Sequence, residues 1–517
     1  MKWPSIGRET STGLAVTGSE QNGILSAAHR ETIDGLLVVH VGGTPYEMGF
    51  QHGALCRDEI HGFRREAYAY MATLLASVLR LPLFLARLVT RPLLLRQVRA
   101  YLPFTPREYL DEMQGIAEGA HVHVLEALLV NAVWEMYLAG GCSEFAVRGS
   151  RSADGELLHG YNYDLADPAH AFINPYLALI FARPAHGAAF AQVNTVGCVG
   201  ANAGLSVRGI SVAWDNTYLR ADSRLLAGMP RCCTPFELAL RHLLQYADSA
   251  EAGVEIVRSH LPRPAADIII VGEGHANRAV AMEMAGNTFA LREMQDDAVW
   301  SANSFASPAL GPEDRRGMPT DDLDETGSRL GRYASYTELI NQTPGKMDVP
   351  RAVEILRDPY PREKHGYVYP PARPRTICRP VTSFSLVMQP KAQRMWVGDP
   401  RIPAPLGRYL GFDLRTEAPI AESPRPPTGF HQAAQGYEHF AAGRYAEALL
   451  ALEEAWALDG ESVPLRLMMA QVHAALGQED AAHAQAERAR AAGAQPGARI
   501  PFPSAIKPLT YLVCEAR

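Results

Sequence analysis

The chain has 517 residues, too many for one ordinary domain and enough for two or three, each with its own buried core. Its 49 Lys and Arg against 56 Asp and Glu leave a net charge of −7, which excludes the basic excess that marks nucleic-acid binders. Hydrophobic residues make up 47% and charged residues 20%, the balance of a globular chain rather than a disordered one.

Residues 1–34 read as an N-terminal extension. They open MKWPSIGRETSTG, with no apolar run after a basic start, so no secretory signal is expected. GLLVVHV at 35–41 is a short strand ending in two glycines, and TPYEMGFQHGALCRDEI starts with a turn and becomes helical. From Glu59 to Leu138 the apolar spacing of three and four predicts helices. Within that stretch, residues 79–102 are apolar but interrupted by Arg80, Arg87, Arg91, Arg96 and Arg99 and broken by Pro82 and Pro92. The longest charge-free run falls short of the roughly 20 residues that a membrane span needs. A buried or surface-covering helix pair is expected, while basic residues beside bulky aliphatics also suit weak contact with a membrane interface.

From Cys142 the texture changes to short strands divided by Gly, Asn and Pro: CSEFAVRG, LLHGYNYD, LALIFARP, AAFAQVNTVG, LSVRGISVAW, ADIIIVGEG and RAVAMEMAG. Helices at 235–246 and 249–260 interrupt them, and strands resume at TSFSLVMQP and RMWVGDP. Strands in runs and helices in runs predict an α+β class built in layers, not a doubly wound parallel sheet. No Walker loop and no GxGxxG after a strand is present. Residues 406–428 are proline-rich and read as a linker. The chain then becomes Ala-rich and helical, with Gly443 and Gly477 standing 34 residues apart in two similar helix–turn–helix units, the period of a tetratricopeptide repeat. The units cover 429–496, leaving 497–517 as a C-terminal segment. Solenoid faces bind peptides, so an adaptor role through these repeats is a competing reading of the chain.

There are seven cysteines, an odd count at irregular spacing, which argues against a disulfide framework and for reduced thiols in a cytoplasmic setting. Cys232 and Cys233 lack a second pair at zinc spacing and read as small buried residues. Cys142 is different. A thiol nucleophile needs a partner that takes its proton, and no papain-type CGSCW surrounds any cysteine. A chain-terminal nucleophile solves this with its own α-amino group, whose pKa of roughly 7.7–8 suits a general base. That solution needs a small residue before the Cys and a strand after it. Gly140–Gly141–Cys142, followed by Ser-Glu-Phe-Ala-Val, supplies both.

GGTPYEMGFQHG at 42–53, GCSEFAV at 141–147 and DGELLHGYNYD at 154–164 together resemble the acyl-coenzyme A:6-aminopenicillanate acyltransferase-like family, whose relatives include acid ceramidase, N-acylethanolamine acid amidase and bile-salt hydrolase. The resemblance spans about residues 35–400. It implies an αββα N-terminal-nucleophile (Ntn) fold with residues 35–141 as a helical pro-segment and 142–405 as the catalytic region. It implies self-cleavage between Gly141 and Cys142, no metal and no cofactor, and a small-molecule amide or acyl donor as substrate. By the same resemblance Cys142 is the nucleophile, Asp164, beside Asn162, holds the Cys142 amine, and Asn303 in WSANSF supplies an oxyanion-hole amide. Arg329 in GSRLGRYASYTEL closes the site, with Arg332 as a competitor. Tyr161 stands where bile-salt hydrolases carry Arg, which removes a cation near the thiolate and argues against bile-salt specificity. Ser211 matches no family role, Asn202 reads as a turn residue, and Glu47 and His52 read as holding the precursor helix in place. The leading expectation is a self-processed cysteine amidohydrolase or acyltransferase. A dormant adaptor and a lipid-amide hydrolase working at a membrane interface are the alternatives.

Overall fold

The computed structural model describes residues 23–26, 28–136, 141–165, 172–314, 325–342, 345–358, 377–379, 381–399, 404–420, 429–459 and 463–491. The segment 497–517, residues 421–428 of the expected linker, Gly140 and the side chain of Arg329 lie outside this set.

Two sheets face each other. The first has nine strands in the order β1-β2-β5-β6-β7-β8-β9-β10-β11: β1 His29–Ile33, β2 Leu36–Gly43, β5 Leu177–Pro184, β6 Phe190–Thr195, β7 Ala203–Ser206, β8 Ile210–Thr217, β9 Arg263–Glu273, β10 Arg278–Gly286 and β11 Thr288–Glu293. All neighbours are antiparallel except β2 and β5. The second has seven strands in the order β12-β3-β4-β13-β14-β15-β16: β12 Ala298–Ser301, β3 Ser143–Val147, β4 Leu158–Asp164, β13 Thr382–Gln389, β14 Arg394–Gly398, β15 Tyr409–Asp413 and β16 Ala418–Ile420.

Most strands are apolar on both faces because both faces are covered. On β5, Leu177, Leu179 and Phe181 point between the sheets, where they meet Tyr161, Tyr163, Phe384 and Leu386 of the second sheet. Its alternate residues Ala178, Ile180 and Ala182 point outward beneath helices α1 (Pro45–Leu55), α4 (Arg107–Ala120), α5 (Val124–Met136), α6 (Phe236–Tyr246) and α7 (Ala250–Ser259). The outer face of the second sheet, including Phe145, Leu158 and Val387, is covered by α8 (Glu325–Asn341) and α9 (Val349–Leu356). The result is a four-layer αββα sandwich, the architecture expected from the motifs.

Two boundaries differ from the sequence reading. Residues 29–33, placed in the N-terminal extension, form the edge strand β1 and pair with β2 from His29↔His40 to Ile33↔Leu36. Residues 409–420, placed in the linker, are β15 and β16; Tyr409 and Phe412 are fully buried and anchor them. Proline content misled there because Pro419 sits on the edge strand β16, where a missing N–H costs no ladder bond.

Helix α1 starts with a capping box. The Thr44 hydroxyl accepts from Glu47 N, and the Glu47 carboxylate accepts from Thr44 N at 2.7 Å. Its far end is held by His52, whose buried Nε2 accepts from Gly197 N at 3.0 Å. Burial lowers that imidazole to about 4, so it stays the neutral acceptor this bond requires. Glu47 and His52 therefore anchor the helix, as expected. Helix α1 packs on α4 almost backbone to backbone. A Cβ on Gly49 would lie 1.9 Å from Glu112 O, and one on Gly115 2.2 Å from Tyr46 O.

Helices α2 (Arg57–Leu79) and α3 (Leu83–Val98) form a hairpin that breaks at Arg80, which adopts a left-handed φ of 52° just before Pro82. Pro92 was expected to break the chain as well, but it lies inside α3. The carbonyl its ring leaves unbonded belongs to the exposed Leu88, where water can satisfy it. No single described helix is long and apolar enough to cross a membrane; α2 and the helical stretch to Phe104 reach that length only together, bent by 113°.

Near the C-terminus, α10 (Phe430–Ala441), α11 (Tyr445–Asp459), α12 (Val463–Ala475) and α13 (Glu479–Ala491) make two helix–turn–helix units around their own core of Tyr437, Leu452, Leu465, Met468 and Val472. Gly443 and Gly477 occupy equivalent left-handed positions, with φ of 75° and 73°, where a side chain would strain the turn. The expected repeat period is thus a structural one.

The α1–α4 contact leads to a clear outcome. Gly115→Ala should lose about 3 kcal/mol of stability, although alanine alone favours a helix by about 1 kcal/mol, because the clash is with backbone that cannot rotate away. Chemical denaturation of the purified variant measures this; a change below about 0.5 kcal/mol would mean the helices separate freely.

Candidate active site around Cys142

Cys142 lies just before β3, at the edge of the space between the sheets, and is 3% exposed. Strand alternation sorts the residues that follow. Ser143 points outward to the Tyr336 hydroxyl at 3.0 Å on α8, whereas Cys142 packs in the inter-sheet cluster with Tyr161, Tyr163 and Phe384. The register Ser143↔Asn162 sets β3 beside the end of β4, so Asp164 comes level with Gly141. Gly141 N donates to Asp164 O at 3.0 Å.

The Asp164 side chain is fully buried, on the outer face of the second sheet. Its Oδ1 accepts from Thr382 Oγ1 at 2.5 Å, and its Oδ2 lies 3.4 Å from Arg379 Nη1 and 3.9 Å from Arg332 Nη1. Burial pushes this carboxyl up, and the charges of Arg379 and Arg332 pull it back. The same guanidiniums reach the bond before Cys142. Gly141 O accepts from Arg332 Nη1 at 2.9 Å and from Arg379 Nη1 at 3.3 Å. Arg332 Nη1 also donates to Cys142 O at 2.5 Å, and its Nη2 to Asn303 Oδ1 at 2.7 Å.

Asn303 follows β12 with a left-handed φ of 56°, a region asparagine tolerates better than most residues. Four interactions hold it there. Its N–H donates to Asp215 Oδ2 at 3.1 Å, its carbonyl accepts from Thr217 Oγ1 at 2.6 Å, its Oδ1 takes Arg332, and its Nδ2 donates to Asn216 O. Burial raises the Asp215 carboxyl to about 7, so the group facing the Asn303 amide changes charge near neutrality. Tyr161 places its hydroxyl beside the Cys142 thiol and donates to Trp214 O at 2.7 Å. Burial, followed by the Asp164 charge, holds the thiol well above the ordinary range in this uncut chain. The thiol is therefore un-ionised, and a thiolate would need a base to take its proton.

Of the residues singled out in the sequence, Cys142, Gly141, Asp164, Asn303 and Tyr161 come together. Asn162 stands one step outside. Its Nδ2 donates to Leu356 O and Ile377 O, and its Oδ1 accepts from Ser385 Oγ at 2.6 Å, so it clamps the segment that carries Arg379. Arg329 and Arg332 lie on the same helix; the guanidinium of Arg332, the competitor, reaches Gly141 and Asn303, while the side chain of Arg329 lies outside the described residues. Asn202 is more than a turn residue: its Nδ2 donates to Glu237 Oε1 at 2.8 Å in a buried network. Ser211 hydrogen-bonds the buried His159 at 3.0 Å, away from Cys142.

Two residues escaped the sequence reading. Arg379 has no local signature in PRTICRP. Asp215 left a trace, as the first acid in the otherwise apolar run ISVAWD, where a lone buried carboxylate calls for an explanation.

Comparison with known proteins gives partial matches. The tetratricopeptide repeat family matches residues 439–500. An uncharacterized protein of Archaeoglobus fulgidus is 25% identical over 387 residues, covering 65% of this chain and 59% of that protein. Protein dcd1B of Dictyostelium discoideum is 24% identical over 340 residues, 60% of this chain and 64% of that one. The chain thus spans about three fifths of the length of these curated relatives. Among solved structures it is similar to an ortholog of N-acylethanolamine-hydrolyzing acid amidase from Caenorhabditis elegans (16% identity, TM-score 0.34, 48% of this chain and 93% of that one). It is also similar to conjugated bile acid hydrolase from Clostridium perfringens (12%, TM-score 0.35, 54% and 93%) and penicillin V acylase from Agrobacterium tumefaciens (10%, TM-score 0.33, 53% and 86%).

The ion cluster is testable by a mutant cycle. Arg332→Leu strips Asp164, Gly141 and Asn303 of a shared donor and should cost about 3–5 kcal/mol, the usual penalty for breaking a buried pair from one side. Adding Asp164→Asn to that variant should recover part of the loss, since the carboxylate that lost Arg332 is then neutral and Arg379 keeps Gly141 O as an acceptor. Denaturant melts of the four proteins give the coupling energy; strictly additive losses would show that the two residues do not interact.

Proposed function

We propose that this chain is a self-processing cysteine amidohydrolase or acyltransferase of the Ntn class, acting on linear amides through an acyl-thioester on Cys142. One observation carries the reading: the carbonyl of the bond preceding buried Cys142 accepts from two guanidiniums, Arg332 and Arg379. A peptide carbonyl held by two cations is arranged for negative charge to develop on its oxygen, and such a donor is typically worth about 3–4 kcal/mol in a transition state.

In the precursor, Cys142 Sγ attacks the Gly141 carbonyl carbon. The C–S bond forms, and the oxyanion faces Arg332 and Arg379. Collapse breaks the Gly141–Cys142 C–N bond, and the thiol proton ends on the departing Cys142 amine. Water then hydrolyses the thioester to a Gly141 carboxylate and a free Cys142 thiol. That amine, with an ordinary pKa of about 7.7–8, takes the thiol proton in each later turnover. The thiolate attacks the substrate amide, the protonated amine leaves, and water or an acceptor amine resolves the acyl-enzyme. Asp164 accepts from and orients the freed Cys142 amine, Arg332 keeps Asn303 in place, and the Asn303 amide serves the substrate oxyanion. The Tyr161 hydroxyl, which donates to Trp214 O while the thiol is protonated, turns its one proton to the sulfur to support the thiolate where a cation is missing.

A second reading places this chemistry at a membrane, and one observation favours it. Nine large apolar residues on α2 and α3, from Leu74 to Leu93, are exposed, with Val78 at 77% and Leu88 at 70%. Arg80, Arg87, Arg91, Arg96 and Arg99 stand among or beside them, and residues 67–107 contain no acid. An apolar patch rimmed by arginine suits an anionic bilayer surface. Beneath the hairpin lies an apolar cavity of about 60 Å³ lined by Phe63, Ala67, Met71, Leu94 and Val130. Phe63 belongs to the same apolar cluster as Cys142, so the hairpin and the nucleophile share a continuous apolar path.

Intact-mass analysis of purified protein should find fragments of 141 and 376 residues, the 517-residue chain divided after Gly141. They should co-elute under native conditions, because β1 and β2 belong to the same sheet as β5–β11. Cys142→Ala should remain a single chain with no turnover of amide substrates; cleavage in that variant would refute the assignment. For the membrane reading, the protein should co-sediment with phosphatidylserine-containing vesicles and be released by salt. Phe84→Asp with Leu88→Asp should weaken partitioning on the order of 1,000-fold, since burying each side chain contributes about 2 kcal/mol and every ~1.4 kcal/mol is tenfold. Equal sedimentation with neutral and anionic vesicles would count against the arginine rim.

A further inference from the structure

The β1–β2 hairpin carries a cluster that the proposed chemistry does not use. His29 and His40 are directly opposite in the antiparallel register, and Glu31, two residues along β1, shares their face. The two imidazole rings stack with centroids 4.0 Å apart, and one ligand atom from each of His29, Glu31 and His40 falls within 4.8 Å of the others.

His40 is the fixed member. Its side chain is 7% exposed and stacks on Phe181 of β5 at 4.9 Å. Its Nδ1 is 2.7 Å from Glu417 Oε2, in the turn between β15 and β16. Burial works against ionisation of Glu417, yet the hydrogen bond from His40 and the Arg183 charge hold it below the ordinary range. A carboxylate only accepts, so Nδ1 carries the proton of that hydrogen bond and Nε2 is the nitrogen placed to bind a cation. That Nε2 is buried without a hydrogen-bond partner and faces Glu31 Oε1 at 3.7 Å. A carboxylate that fixes one imidazole nitrogen so that the other can bind a cation is the recurrent outer-shell arrangement of metal-bound histidine. His29 and Glu31 are solvent-exposed, and small changes of rotamer bring their ligand atoms to bonding distance of a common ion.

We propose that His29, Glu31 and His40 form a three-ligand site for a divalent transition-metal cation at the rim of the cleft between the sheets, with Glu417 as the carboxylate that orients His40. Two imidazoles and one carboxylate suit Zn²⁺, and a fourth position stays open to water. Binding involves no redox step: the cation replaces solvent and any proton on the imidazoles. All three ligands precede Gly141, whereas Glu417 follows it, so an occupied site ties the segment before the proposed cut to the sheet after it. The proposal is independent of chemistry at Cys142.

The test uses full-length protein without a histidine tag, stripped with a chelator and titrated with Zn²⁺ against a chromophoric competitor, with Co²⁺ as the spectroscopic probe. Expected are one tight equivalent with a Kd of about 10 µM or below, a visible Co²⁺ ligand-field band, and a Zn²⁺-dependent rise in Tm. His29→Ala and Glu31→Gln, both exposed positions, should each weaken binding at least about 10-fold, and Glu417→Gln by about 10-fold through the orientation of His40. Cys142→Ala should leave the affinity unchanged, which separates this site from thiol binding. No uptake at about 100 µM Zn²⁺, or uptake insensitive to both His29→Ala and Glu31→Gln, overturns the site. Self-cleavage measured on the same samples reports separately on the Cys142 proposal.

Discussion

A carboxyl buried with two guanidiniums is the constraint on which the centre of this molecule depends. Asp164 lies at the end of β4 with no exposure to water, and only Arg332, Arg379 and Thr382 make that tolerable. The arginines need acceptors in turn, and they find them in Gly141 O, Cys142 O and Asn303 Oδ1. Satisfying the charges therefore draws five separated stretches of chain onto one point: the segment before β3, the end of β4, the turn after β12, helix α8 and the stretch from Arg379 to Thr382 at the start of β13. The bond before Cys142 ends up polarised because its carbonyl oxygen accepts from both guanidiniums.

The layers around that point explain why it can exist. Tyr161, Tyr163 and Phe384 exclude water from the inner side of the cysteine, and α8 and α9 close the outer face. In such a place a thiol resists ionisation. Asp215 and Asn303 lie on the other side of the same contact, and their hydrogen bond couples the Asn303 backbone to a carboxyl that titrates near neutrality.

The strands β1 and β2 precede Gly141 and yet complete a nine-stranded sheet whose other members follow it. The N-terminal part is thus built into the fold rather than laid over it. The His52–Gly197 bond joins the two parts from the outside, and the His40–Glu417 pair joins them at the rim. What the hairpin α2–α3 adds is a surface: its inner side closes the apolar cavity, and its outer side remains uncovered.

Much of this was legible in the residues. Alternation and apolar runs revealed most of the strands and helices, the glycines at 443 and 477 revealed the repeat, and Gly141–Cys142 stood out before a strand, because backbone period and local chemistry are properties of neighbours in the chain; Asp164 was singled out through the family resemblance. The polar edge strand β1 and the proline-bearing β16 were hidden, since their pairing partners lie elsewhere. Arg379 was hidden for the same reason, and so was the choice of Arg332 within a helix that also carries Arg329. A guanidinium's role is set by which carboxylate and which carbonyl stand within about 3 Å, and only the packing of β4, β13 and α8 against one another decides that.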